Sequence, residues 1–233
     1  MKPMKKWKLL LIFLIGMSFL LAVETYFRQP RLRLPQSGLI MTLPLVLLEI
    51  PTVTQDEHGR LADPVNLLFI GSYKKVDTAL RQAGWARIHD TRKSALAATV
   101  GEIFKKRSYS NFPVSDLYLF GRKQDLAYSK SVKDIRQRHH FRLWKTPFCL
   151  PKTKDVWVGA ATFDTGILRR GKKLTHTINP DIDQERNWIG QDLESTGKVR
   201  ALIHARHLWP IYKGVNADDF LYYTDGKILI VVF

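Results

Sequence analysis

The stretch FLYYTDGKILIVVF, residues 220–233, decides the fold class. Two runs rich in Tyr, Ile and Val flank Asp225-Gly226, a dipeptide that accepts the positive φ of a two-residue hairpin turn. The pattern predicts two antiparallel strands paired across that turn. VWVGAATF, at 156–163, is an equally strong strand signal.

Working outward, VNLLFI (65–70) reads as a buried strand closed by Gly71-Ser72. Val76, Ala79, Leu80 and Ala83 recur at helical spacing, and Gly84 takes the position after the helix end. Residues 95–104 predict a second helix. Residues 117–120, 126–128, 139–144 and 199–205 have strand character. Residues 181–193 predict a helix between Pro180 and Gly197, with Ile182, Trp188, Ile189 and Leu193 as its core stripe. Strands outnumber helices and the last two are antiparallel. The class is therefore α+β: a single domain with a mixed, mainly antiparallel sheet and about three helices.

The 233 residues carry 37 Lys and Arg against 21 Asp and Glu, a net charge of +16. That excess favours an anionic partner: a membrane surface, a nucleic acid or an anionic substrate. The single cysteine, Cys149, excludes an intrachain disulfide, a CxxC redox pair and a Cys-based zinc finger. Flanked by Phe148 and Leu150, it reads as a core residue.

Lys2, Lys5, Lys6 and Lys8 precede an apolar run from Leu9 to Val23. At about fifteen residues the run is shorter than the ~17–25 of a typical span. Trp7 and Tyr26 flank it as interfacial aromatics, and Lys8 can snorkel. A cleaved signal peptide is the rival reading, but no A-x-A-like site follows the run. The expectation is an uncleaved signal-anchor over 1–26, a basic juxtamembrane linker over 27–38, and one domain over 39–233. The linker, with Arg28, Arg31 and Arg33, either binds anionic lipid headgroups or is a solvated spacer. The leading lysines favour a cytoplasmic N-terminus, against the pull of those arginines. The expected location is the inner membrane, single-pass, with the domain periplasmic or otherwise extracytoplasmic. Residues 39–50, interrupted by Pro44, are expected to pack on the domain as an extended segment.

Several motifs are absent. Residues 166–173 fall one residue short of a Walker A loop, because Lys173 stands where Ser or Thr holds Mg²⁺. A charged surface loop is the expectation there. GxSxG and HExxH do not occur. The basic residues form no nucleic-acid module, so no nucleic-acid partner is expected.

Two segments carry candidate chemistry. In RQRHHFRLW (136–144), strand alternation sends His139, Phe141 and Leu143 to one face and His140, Arg142 and Trp144 to the other. At most one of the two histidines then serves a given site. THTINPDIDQER (175–186) gathers a histidine, three carboxylates and an arginine around a helix start. Helix capping and the dipole account for Asp181, Asp183 and Glu185 without any activity. The sharper reading joins both segments. His176 with His139 or His140, and Asp181 or Asp183, would ligate a divalent metal. Arg122, Arg138, Arg142 and Arg186 would hold a phosphate by bidentate bonds. His176, Asp181, Asp183 and Arg186 are then the catalytic candidates, and Arg122, Arg138 and Arg142 the anion-binding ones. Asp125 either pairs with one of these arginines or is a turn residue.

Together, residues 113–148, VWVGAATFDTGI (156–167), THTINPDIDQER and FLYYTDGKI (220–228) resemble the LssY-like C-terminal domain family. PVNLLFIGS near Pro64 and Gly84-Trp85 fit the opening of the same family. The resemblance covers roughly residues 40–233. The chain departs at His176-Thr177-Ile178-Asn179, where the family pattern reads closer to HHID. If the second His and the Asp are ligands in the family, Thr177 and Asn179 replace them here, which weakens a metal site. The resemblance implies a bacterial membrane-associated domain of unsettled activity. In the family it often follows a multi-pass region similar to the DedA-like or PAP2-type lipid phosphatase families.

Two functional expectations follow. The first is a non-catalytic accessory or binding role in the envelope, linked to secretion or lipid processes and served by a multi-pass membrane partner. The alternative is metal-assisted hydrolysis of a phosphorylated or lipid-linked substrate.

Overall fold

The computed structural model describes residues 32–33, 39–88, 114–132, 137–150, 154–170 and 173–233. The expected anchor over 1–26, most of the linker, and the helix over 95–104 lie outside these residues. Among the described residues no helix is long and apolar enough to cross a membrane.

Three helices are described: α1 (Leu39–Glu49), α2 (Tyr73–Gln82) and α3 (Ile182–Glu194). The main sheet is built on two long strands, β9 (Arg138–Leu150) and β10 (Lys154–Arg170). Its order is β12-β15-β4-β10-β9-β8-β5, where β4 is Leu67–Ile70, β5 Ala86–Arg87, β8 Leu126–Ser131, β12 Ala201–Arg206 and β15 Lys227–Val232. β11 (Lys173–Ile178) continues beside the far half of β10, and β1 (Leu32–Arg33) pairs with the end of β9. Pairs β15–β4 and β1–β9 are parallel, and the other ladders of this sheet are antiparallel. A four-stranded sheet joins β2 (Val53–Gln55), β3 (Leu61–Pro64), β6 (Tyr118–Leu119) and β7 (Arg122–Lys123). A two-stranded sheet joins β13 (Ile211–Val215) and β14 (Leu221–Thr224). The architecture is α+β with mixed, mainly antiparallel sheets.

Each face of the main sheet carries its own core. On one face α1, Leu68, Ile70, Trp144, Val156, Val158, Ile228 and Ile230 pack together. On the other, α2 and α3 cover Leu67, Phe69, Phe141, Leu143, Ala161, Leu229 and Val231. The expected alternation of the RHHFRLW strand is therefore correct, since Phe141 and Trp144 enter opposite cores. α2 ends as the sequence predicts, with Gly84 at φ +84° just past it. Asn66 ties β4's approach to β10, donating to the Ala161 carbonyl at 3.0 Å and accepting from its N–H at 2.9 Å.

Three expectations are corrected. Residues 39–49 form a helix despite Pro44, because Leu43, Val46 and Ile50 fall on one side at helical spacing and bury there. The charged loop expected over 166–173 is largely ladder: β10 runs through Arg170 and pairs with β11. Finally, Asp225-Gly226 does not close a hairpin. β15 is buried along nearly its whole length and lies between β12 and β4, whereas β14 alternates exposed and buried and pairs with β13. A continuous apolar strand belongs inside a sheet covered on both faces, and an alternating one at a surface. Gly226 still has φ +75°, and a Cβ there would collide with the Leu208 carbonyl.

Candidate functional site

The register of β9 against β10 brings Arg138 opposite Asp164, His140 opposite Thr162 and Arg142 opposite Ala160. All three β9 side chains lie on the face that carries Trp144. Arg138 Nε donates to Asp164 Oδ2 at 2.7 Å, and both side chains are almost fully buried. The same oxygen lies 3.4 Å from His140 Nδ1 and 3.7 Å from His176 Nδ1, which arrives from β11. His140 Nε2 is 3.1 Å from the Thr162 hydroxyl. Further along the face, Arg142 Nη1 lies 3.5 Å from Asp63 Oδ2, and Asn216 Nδ2 donates to Asp63 Oδ1 at 3.1 Å. Arg142 Nε donates to the Ser115 carbonyl.

Burial governs protonation here. It pushes His140 well below its ordinary value, with Arg142 and Arg138 acting in the same direction. His176 is pushed down to about 4 by burial and by Arg138. Both histidines are neutral at pH 7. Burial raises Asp164 against the lowering pull of Arg138 and Arg142, and raises Asp63 against Arg142 and Asn216. Arg142 is itself lowered by burial. Among the described residues, His140 Nδ1 and Glu185 Oε1 are buried without a hydrogen-bond partner.

The other candidates go elsewhere. His139 lies on the opposite face, stacked on Trp188 at 3.5 Å between ring centroids, with Nδ1 2.7 Å from Glu185 Oε2. Burial pushes His139 down to about 4 and Glu185 well up, so both partners are driven toward neutrality. Asp181 caps α3 by accepting from the Gln184 N–H at 3.1 Å. Asp183 accepts from Arg186, from the Thr224 hydroxyl and from the Asp225 N–H. Arg186, buried, also donates to Asp225 Oδ1 at 2.7 Å and to the Lys227 carbonyl at 2.8 Å. Asp181, Asp183 and Arg186 therefore hold α3 against the β14–β15 connection and do not join His140 and His176. Arg122 bonds to Asp125 at 2.6 Å and to the Lys145 carbonyl at 2.6 Å, apart from Arg138 and Arg142. Asp125 is both a turn residue and that arginine's partner.

The expected metal set is thus not assembled. Among the described residues no three His, Cys, Asp or Glu are spaced to hold a metal ion. Asp164 and Asp63, central to the polar cluster, were not candidates from sequence. A carboxylate ending the run VWVGAATF, in phase with Thr162 and Ala160, was the available signal for Asp164.

Comparison with known proteins agrees with the resemblance. A family model described as LssY C-terminus matches residues 47–228, so the chain belongs to that family. No curated protein and no solved structure gives a significant match.

Two outcomes test this assignment of roles. Removing one member of a buried ion pair costs about 3–5 kcal/mol. Arg186→Ala is expected to fall at about the lower end, because Asp225 is partly exposed. Chemical denaturation measures it. For His176, the unfolded chain takes up its proton near 6.5 and the folded chain only near 4. Its stabilising contribution is complete above pH 6.5 and is lost as pH falls toward about 4. His176→Gln should flatten the pH dependence of Tm across that window, as read by thermal scans.

Proposed function

We propose that this member of the LssY C-terminal family is a membrane-anchored domain of the bacterial envelope with a non-catalytic, binding role, and that the Asp164 cluster is where it takes its ligand. The observation that carries the binding role is the gathering of Arg138, Arg142, Asp63, Asp164, His140 and His176 on one sheet face. Burying ions costs several kcal/mol each, and pairing often only repays it. An apolar core already covers each face of the sheet. Clusters of this kind, with perturbed titration, are a recognised mark of functional sites. Each arginine is met by a carboxylate and each histidine is neutral, which suits recognition of a polar group better than supply of a strong acid or base.

The hydrolytic reading keeps one specific support. Two ring nitrogens converge on a single carboxylate oxygen, at 3.4 and 3.7 Å. Asp164 would then take the place first expected for Asp181 or Asp183. The arginines that would meet a phosphate are Arg138 and Arg142.

The test uses the full chain, purified in detergent without a His tag or chelator. Elemental analysis is paired with a phosphoester hydrolysis screen. The binding role predicts substoichiometric zinc, manganese and iron, and turnover no higher than in Asp164→Asn. Stoichiometric metal that disappears in His176→Ala, with hydrolysis lost in both variants, would overturn it in favour of the hydrolase.

A further inference from the structure

α1 is apolar on nearly every side. It buries Leu43 and Val46 against the sheet, yet leaves Leu45 60% and Leu48 80% exposed. Glu49, its last residue, is its only charge. A helix that is apolar all round requires a second apolar environment on its outer side. Just beyond α1, the Pro51 carbonyl accepts a hydrogen bond from His207 Nε2. That bond joins α1's exit to the segment carrying Trp209, 83% exposed, and Tyr212, 89% exposed. Arg206 and Lys213 flank these aromatics and are exposed. Trp and Tyr beside Lys and Arg are the side chains that settle at a membrane–water interface.

We propose that α1 and the Trp209–Tyr212 segment form a second membrane contact, which lays the domain against an anionic bilayer. This rests on the reading of residues 9–23 as an anchor. The tether supports a bilayer as the occupant. β1 fixes Leu32–Arg33 beside Phe148–Cys149, so residues 24–31 are all that separate the apolar run from the domain. Eight residues span at most ~28 Å. A domain held that close meets the surface at high effective concentration, so that even a weak contact is occupied. The net charge of +16 adds attraction to anionic headgroups.

The experiment uses the full chain carrying Cys149→Ser and one of Leu48→Cys, Tyr212→Cys or Lys74→Cys. Each is labelled with an environment-sensitive fluorophore and reconstituted into vesicles of phosphatidylcholine and phosphatidylglycerol. Lys74 lies on α2, which covers the opposite face of the sheet. The expected result is that probes at 48 and 212 are quenched by nitroxide-bearing lipids and shielded from iodide, while the probe at 74 shows the reverse. If all three probes are open to iodide while the chain stays with the vesicles, the second contact is wrong and the anchor stands. If the chain does not partition with vesicles, the anchor reading has failed, and the second contact with it. Probes at 48 and 212 shielded from both quenchers would mean that a second copy or a protein partner covers this side, which also overturns the bilayer contact.

Discussion

The Arg138–Asp164 pair, at 2.7 Å and almost fully buried, is the constraint around which the polar half of this molecule is arranged. It spans the two longest strands at one end of their shared ladder. Taking an arginine and an aspartate this far from water is costly, and their mutual pairing offsets that cost. Once Asp164 is fixed, His140 and His176 have one carboxylate oxygen to approach, and burial, reinforced by the nearby arginines, holds both rings neutral. Arg142 and Asp63 repeat the arrangement further along the face with a looser 3.5 Å contact, completed by Asn216. Segments far apart in sequence meet there: β3, β9, β10, β11 and the turn after β13.

A second set of charges does a different job. Arg186, Asp183, Asp225 and Thr224 tie α3 to the connection between β14 and β15. This tie gives the acidic helix start a structural role: its carboxylates are engaged by a cap and by a buried guanidinium. Glu185 is the exception, turned toward His139 and Trp188 on the far side of the sheet.

Much of this was legible in the residues. Period-two alternation assigned His139 and His140 to opposite faces, and helical spacing with Gly84 and Gly197 placed α2 and α3. Other features depend on which strand pairs with which, and a linear pattern does not carry that. Asp225-Gly226 has the chemistry of a hairpin turn. The strand after it, however, is apolar on both sides and is drawn to the sheet interior, while the strand before it is not. Pro44 argued for an extended segment, but three buried apolar residues at helical spacing outweighed one lost backbone bond. The role of Asp164 comes from register, which the linear sequence does not show: it matters because Arg138 stands directly across.

A pH titration of the full chain in detergent, following the imidazole nitrogens of His140 and His176 by NMR, reads the state of this cluster directly. A site neutralised from within predicts that both rings stay uncharged well below the ordinary 6.5, with His176 protonating only near 4. It also predicts that Asp164→Asn shifts the resonances of both rings together. Titration of both rings near 6.5, or a response of neither to Asp164→Asn, would contradict it.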